Sequence, residues 1–544
     1  MTEIGRPAEA AVLDAAHIGD IEGALGTITF GDSRAHRGWR TRLATLAAIA
    51  GPGLIVMVGD NDAGAFSTYS QAGQNYGTAL LWTLVLLIPV LYVNQEMVLR
   101  LGAVTGVGHA RLILERFGRF WGAFSVIDLF ALNALTIVTE FIGINLALGF
   151  LGVPRVGGIL LAAGIVIAAA STGSFRRFER FSLALCFFSL LLVPVFLLAH
   201  PRVRLIAHDL AVPHFPGRTN PSEVLLLVIA IVGTTIAPWQ LFFQQSYVID
   251  KRITPRFMNY EKADLVIGIA VVVIGAVAIM GSAAAAFLHT SEYGQFSDAR
   301  AVAAGLAAYA GRPAGVLFAL ALLNASIIGA SAVSLSTAYA IGDVLAVRHS
   351  LHRKAADAPA FYAVYAGLIV VAALLVMFGS DRLLGLLTNA VQTLAGVLLP
   401  SATVFLLLLC NDKQVLGPWT NGRLLNLFTG TVIWVLVMLS LILTAATLFP
   451  NLTGTMIGAL LGGGAALGLC GIPLALRRPT ASGREPVPGQ PEATVSWRMP
   501  PLESLLPPEL SLSKRTWMVV LRVYLVAAVV LVTIRVVQVA MGHA

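Results

Sequence analysis

A chain of 544 residues that is 57% hydrophobic and 12% charged, with a mean hydropathy of +0.82, is not a soluble domain, where about a quarter of residues carry charge. It is a polytopic membrane protein. The net charge of +8 is small for this length and sits mostly in loops, which speaks for membrane topology and against a nucleic-acid partner.

Residues 1–41 are mixed and polar, without the apolar core of a signal peptide, and read as a cytoplasmic segment from which nothing is cleaved. Arg34, Arg37, Arg40 and Arg42 stand just before the first spanning segment. That segment begins as an apolar helix over residues 42–58, meets Asp60, Asn61 and Asp62, and resumes as a helix to about Tyr76. Carboxylates inside a membrane-length apolar run are costly and mark a functional site by default. Asp, Asn and Gly are also poor helix formers. The stretch therefore predicts a transmembrane helix broken near the midplane, with carbonyls and carboxylates turned to a cavity. Oxygen ligands of this kind suit a hard cation. A helix cap needs one side chain, and three polar ones stand here.

Further segments of spanning length follow at roughly 79–99, 121–150, 156–173, 181–199, 223–250, 263–288, 314–346, 360–378, 384–409, 427–449, 454–476 and 516–538. With the first, that makes about thirteen. Arg111, Arg116 and Arg119 follow the second segment, and Arg176, Arg177 and Arg180 the fourth. Lys251, Arg252, Arg256 and Lys262 follow the sixth, and Arg348, Arg353 and Lys354 the eighth. The alternate loops are poorer in positive charge, although 200–222 keeps Arg202, Arg204 and Arg218. The positive-inside rule then places the amino terminus in the cytoplasm of a multi-pass cell-membrane protein. Cys186, Cys410 and Cys470 lie in apolar runs without metal-ligand spacing and imply no disulfide.

The sixth segment is interrupted too, at Gly233-Thr-Thr-Ile-Ala237-Pro238-Trp239-Gln240. Proline removes a backbone donor and clashes with the preceding turn, so the helix should break there. The first and sixth segments open two successive five-helix units. Paired breaks in corresponding positions point to an inverted-repeat transporter with its site at the midplane.

The stretch GPGLIVMVGDNDAGAFSTYSQAG resembles the first helix of NRAMP divalent-metal transporters, whose signature is Asp-Pro-Gly-Asn followed by Gln-Ala-Gly. Arg100-Leu-Gly-Ala-Val-Thr-Gly106 and Asn389-Ala-Val-Gln392 resemble that family as well, and the likeness runs over residues 43 to 412. It implies an all-α polytopic fold of two inverted five-helix repeats (42–200 and 222–412), the one shared with sodium and amino-acid symporters. It also implies extra carboxy-terminal helices (424–478), leaving a Pro-rich cytoplasmic linker (479–513) and a last helix (514–544).

The departures from that pattern carry chemistry. Asp62 and Gly64 match the signature, while Ala63 stands for its proline and Ala65 for its asparagine. In the sixth segment Pro238 is kept, but Ala237 replaces a methionine, and Trp239 and Gln244 replace two histidines. In the third, Glu140 is kept and Ile137 replaces an aspartate. Losing a thioether removes a preference for transition metals, and Ala65 and Ala237 should widen the site. Asp60 adds a second carboxylate. Such a site suits Mg²⁺, which keeps several waters and binds through one or two carboxylates, and it accepts Mn²⁺. The pattern resembles the NRAMP-related magnesium transporters.

The expected metal site comprises Gly59, Asp60, Asn61, Asp62, Ala237, Gln240 and, by the resemblance, Gln392. Ala65, Pro238 and Trp239 line it, and Glu140 is either a proton relay or a neutral group bonded to Asn or Thr on a neighbouring helix. No histidine lies in the first, third or sixth segment, so transport is expected to be uncoupled from protons. His109, His200, His208 and His214 read as solvated loop residues, Asp128 as interfacial, and Asn324, Ser326, Ser331 and Ser334 as packing between helices. The expected partners are the transported Mg²⁺ or Mn²⁺ and the bilayer, with no catalytic cofactor and no obligate protein partner. The alternatives are a proton-coupled Mn²⁺/Fe²⁺ symporter and an amino-acid transporter of the same fold, the latter disfavoured by two aspartates where a substrate carboxylate would bind. A membrane-embedded enzyme is a third, but no His-Glu-x-x-His and no nucleophile–histidine pair is present.

Overall fold

Two breakpoints, each written in the sequence by Gly, Pro or Asp, decide how this helical bundle is put together. The computed structural model describes residues 13–31, 38–217, 221–449, 453–476 and 496–506, with isolated positions between 518 and 530. The predicted helix 516–538 and most of the linker 479–513 lie outside the described residues.

The chain enters through a two-stranded antiparallel hairpin, β1 (Ile21–Gly23) and β2 (Gly26–Ile28), pairing Ile21 with Ile28. Helix α1 (Trp39–Ile49) follows and then α2 (Pro52–Gly59). The single helix expected over 42–58 is thus two, bent by 52°. The cause is Gly51-Pro52. Gly51 adopts φ +155°, where a Cβ would run into the Glu179 carboxylate, and Pro52 restarts the helix at a position that needs no amide donor.

After the break at 60–62 come α3 (Ala63–Tyr76), α4 (Trp82–Thr105), α5 (His109–Phe117) and α6 (Arg119–Phe150). Then follow α7 (Arg155–Ala170), α8 (Phe175–Phe188), α9 (Leu192–Leu198), α10 (Val203–Ala211) and α11 (Pro221–Thr235). Beyond the second break lie α12 (Pro238–Asp250), α13 (Met258–Phe287), α14 (Ala299–Tyr309), α15 (Arg312–Leu345), α16 (Pro359–Phe378) and α17 (Asp381–Cys410). The short α18 (Lys413–Leu416) leads to α19 (Arg423–Leu448) and α20 (Gly454–Leu476). Among the described residues eight helices are long and apolar enough to cross a bilayer, or nine with α1 and α2 counted as one bent span. Arg155–Ala170, Pro400–Cys410 and Gly454–Leu469 are shorter apolar helices.

The core is built around α6 and α15, which pack along each other, with α13 against both halves of the first broken helix. Close approach there depends on missing side chains. A Cβ on Gly268 would lie 2.8 Å from the Gly53 carbonyl, and one on Gly53 would lie 2.7 Å from the Leu265 backbone. Asn324 ties α15 to the end of α8 through bonds of 3.0 Å to the Leu185 carbonyl and the Ser189 hydroxyl, a packing role as expected. Cys186 and Cys410 are buried and free; the side chain of Cys470 lies outside the described residues.

Helices α5, α10, α14 and α18 and the hairpin sit in stretches without an apolar run of spanning length. The hairpin lies on one end of the bundle, where Ala24 donates its amide to Glu179 and Arg252 donates to the Ala16 and Asp20 carbonyls.

Candidate metal site

The first break is made by residues that end one helix and begin another. α2 closes with a tight turn, in which the Asp60 and Asn61 amides reach back to the Met57 and Val58 carbonyls at 3.2 and 3.3 Å. The carbonyls of Gly59, Asp60 and Asn61 receive none of the backbone hydrogen bonds made across the break. Asp62 caps α3 by accepting the Ala65 amide at 2.8 Å. At the second break Ala237 is extended (φ −91°, ψ 140°) and Pro238 opens α12. The start of α3, the end of α11 and the start of α12 meet around one space, so helix ends of both polarities border it.

That space is a cavity of about 40 Å³ bordered by Asp62, Glu140, Thr136, Thr234, Ala237 and Trp239. It has room for a few water molecules. Trp239 walls it: the indole is 1% exposed and lies where a Cβ on Gly59 would touch it at 3.5 Å. Ala65 is buried and reaches the site through its amide, which caps on Asp62.

Glu140 is in the site itself. Its Oε2 accepts the Ala63 amide at 3.2 Å, and it borders the same cavity as Asp62. Its Oε1 has no partner among the described residues, so the bond to Asn or Thr on a neighbouring helix is not made there. Gly329 on α15 makes the room, since a Cβ there would lie 2.8 Å from the Glu140 carboxyl.

Asp60 is 1% exposed and stands beside the cavity. Its Oδ1 accepts from the Gln240 side chain, while Oδ2 has no partner among the described residues. Asn61 turns the other way. It donates to the Val272 carbonyl on α13 at 3.0 Å, in a slot kept open by Gly275, so its side chain does not reach the cavity. Pro238 borders a separate space of about 10 Å³ that also holds Asp128. Ser401 donates to Asp128 Oδ2 at 3.3 Å, and Asp128 Oδ1 is buried without a partner among the described residues. The Gln392 side chain lies outside the described residues. His109, expected in solvent, is 1% exposed and bonded to Gln245 at 3.0 Å.

Thr136, Thr139 and Thr234 border the cavity and were not singled out from the sequence. Thr136 stands four residues before Glu140, on the same helix face, and Thr234 three before Ala237; both spacings were readable. Tyr69, which bonds Thr235 at 2.8 Å and so joins α3 to α11, had no such signal.

The donors on the cavity are carboxylates and hydroxyls, with no thioether and no imidazole. Among the described residues no three His, Cys, Asp or Glu side chains form a closed metal cage. A hard cation that keeps some of its own water is the ligand such a set suits.

Known proteins agree with this architecture. The family described as natural resistance-associated macrophage protein-like matches residues 53–446. The divalent metal cation transporter MntH of Ralstonia nicotianae is 30% identical over 417 residues, which is 72% of this chain and 88% of that protein. The protein of the same description from Burkholderia ambifaria is 29% identical over 424 residues, 74% of this chain and 90% of the relative. The crystal structure of the Eremococcus coleocola manganese transporter in complex with an aromatic bis-isothiourea substituted compound superposes with a TM-score of 0.61. It does so at 21% identity, covering 81% of this chain and 95% of that one. With the paired helix breaks and the extent of the match, the chain belongs to the Nramp family.

Proposed function

We propose that this protein carries divalent metal ions across the cell membrane by alternating access, taking Mg²⁺ by preference and Mn²⁺ as well. The relatives named above are divalent metal cation and manganese transporters, which supports the ion class. The observation that carries the reading is the meeting of Asp62 and Glu140 between two broken helices, around a space with no soft ligand because Ala237 stands at its edge. Asp62 is the direct ligand. Asp60 acts from beside the cavity as a second charge, with Gln240 holding it, and the uncapped carbonyls of Gly59 and Asp60 supply further oxygens. Gln392 completes the site from α17. Asn61 serves the break through its backbone.

At about 40 Å³ the cavity is too small for an ion carrying its full shell of waters. Entry therefore requires the halves of the broken helices to move apart, with Trp239 as the side chain that must make way. We take the hairpin end as cytoplasmic, residues 42–412 as the transport core and 424–478 as accessory helices. Metal uptake into proteoliposomes tests the ion class. Saturable Mg²⁺ uptake that Mn²⁺ inhibits is expected, and transport of Mn²⁺ and Fe²⁺ but not Mg²⁺ would return the site to a transition-metal preference.

Transport is proposed to move charge without protons, because Ile137, Trp239 and Gln244 stand where the resemblance expects proton carriers. An inside-negative potential then speeds entry, each charge gaining about 2.3 kcal/mol per 100 mV. The place of Glu140 beside Asp62 on one cavity favours a second reading, in which the arriving metal expels a proton from Glu140 toward the inner side. A pH-sensitive dye in the vesicles separates the two. Acidification that follows metal entry and disappears in Glu140→Gln establishes the coupled reading.

A further inference from the structure

Asp60, Gln240 and Gln95 form a line of polar side chains that leaves the cavity for α4. They are 1%, 0% and 1% exposed. The Gln240 nitrogen donates to Asp60 Oδ1, and the Gln240 oxygen accepts from Gln95 Nε2 at 3.0 Å. The bonds give this line a direction: Gln240 turns its NH₂ toward Asp60 and its oxygen toward α4. A buried oxygen requires a donor, and Gln95 supplies it. Both outer ends are open: Asp60 Oδ2 and Gln95 Oε1 have no partner among the described residues.

We propose that Gln95 is a positioning residue for metal binding. It fixes the sense of the Gln240 amide and through it the place of Asp60, so that Asp60 offers Oδ2 to the ion's water shell and the Gln240 oxygen is kept off the ion. Without Gln95 the amide is free to reverse. Its oxygen then faces the Asp60 carboxylate, which it repels, and the second charge no longer acts from a fixed distance. Gln95 touches neither the cavity nor the ion. The inference rests on the reading of Asp60 as part of the metal site.

The test is Mn²⁺ uptake into proteoliposomes, with KM and Vmax measured for the wild type, Gln95→Leu, Asp60→Asn and the double variant. Gln95→Leu raises KM about three- to tenfold, the range of one buried neutral hydrogen bond, and leaves Vmax within about twofold. In the Asp60→Asn background Gln95→Leu adds nothing, because an asparagine amide serves either sense of Gln240; the pair is then non-additive in a double-mutant cycle. Gln95→Met, nearer in shape to glutamine, carries the same comparison if Gln95→Leu fails to insert. Equal effects of the α4 substitution in both backgrounds overturn the inference and leave Asp60 in the site. An Asp60→Asn variant with unchanged KM removes Asp60 from the site, and with it both this inference and that part of the proposed function.

Discussion

Two groups of buried charge in this molecule are resolved in opposite ways. At the hairpin end Lys251, 0% exposed, gives its three protons to the Ile49 carbonyl (2.5 Å), the Ala50 carbonyl (2.9 Å) and Glu179 (2.6 Å). The other Glu179 oxygen takes the Ala24 amide, and Asp264 takes the amides of Gly51, Gly53 and Leu54. At the helix breaks Asp60, Asp62 and Glu140 are buried too, and no basic residue borders the cavity that Asp62 and Glu140 line. Asp60 Oδ2 and Glu140 Oε1 have no partner among the described residues. A buried carboxylate paired with a buried lysine is architecture, because removing one partner strands the other. Carboxylates that meet with no cation among them leave a place for one. Burial does not distinguish the two groups, and neither does an open oxygen, since Asp264 Oδ1 has no partner among the described residues either; the lysine does.

Substitutions can break this contrast at either end. The largest effect is expected at Asp62→Ala: metal uptake is lost while the protein still inserts, its stability lowered only by the lost cap on α3, about 1 kcal/mol. A drop in melting temperature with uptake retained would make Asp62 a structural acid like Glu179. Next comes Lys251→Met, which strands Glu179 and costs about 3–5 kcal/mol of stability, read as a lower melting temperature. The double change Lys251→Met with Glu179→Leu should recover most of it. Failure to recover means that the Ile49 and Ala50 carbonyls, and not the ion pair, are what Lys251 stabilises.

Protons sharpen the contrast at the hairpin end. His349 lies in the loop after α15. Burial is the largest single influence and would lower its pKa, but Asp343 at 3.0 Å, the Val347 carbonyl and Asp250 together hold it up at about 9. His17 packs edge-on at 5.3 Å and is kept neutral by its own burial. A pKa raised on folding adds stability that is complete below the unfolded value of about 6.5 and is lost as pH rises through about 9. The melting temperature should fall over that window by the equivalent of up to about 3 kcal/mol, and His349→Gln should flatten the profile. A profile that is already flat in the wild type means His349 is not charged.

The smallest effect is one of selectivity. Ala237→Met with Ala65→Asn restores a soft ligand and an amide, and should shift preference from Mg²⁺ toward Mn²⁺ by roughly 1 kcal/mol, about fivefold. Competition between the two ions in one uptake assay measures it. An unchanged ratio places selectivity in Trp239, which walls the cavity.

What could be read beforehand and what could not divides along physical lines. Both breaks were legible, because Pro238 and the Asp60-Asn61-Asp62 run act through local backbone chemistry. Asp62 was legible for the same reason that it is costly. The contact of Glu140 with the Ala63 amide joins residues 77 positions apart, and no local pattern announces it. Asn61 looked like its neighbours until α13 supplied a carbonyl for it. Trp239 borders the cavity, next to the Pro238 that opens α12. The hairpin escaped because strands of three residues leave no period to read. His109 was misjudged because a loop position in the sequence says nothing about what packs over it.

The hairpin also bears on where this transporter begins. The family match starts at residue 53, so a minimal version trimmed to the shared region would begin near Gly51. That cut removes Ala24 from Glu179, Asp14 from Arg353 and the Ile49 and Ala50 carbonyls from Lys251. It uncovers a lysine and a glutamate that the full chain never shows to water. The evolutionary edge of the module and its mechanical edge differ by about forty residues. A truncated form should express as a looser protein even with every ion ligand in place.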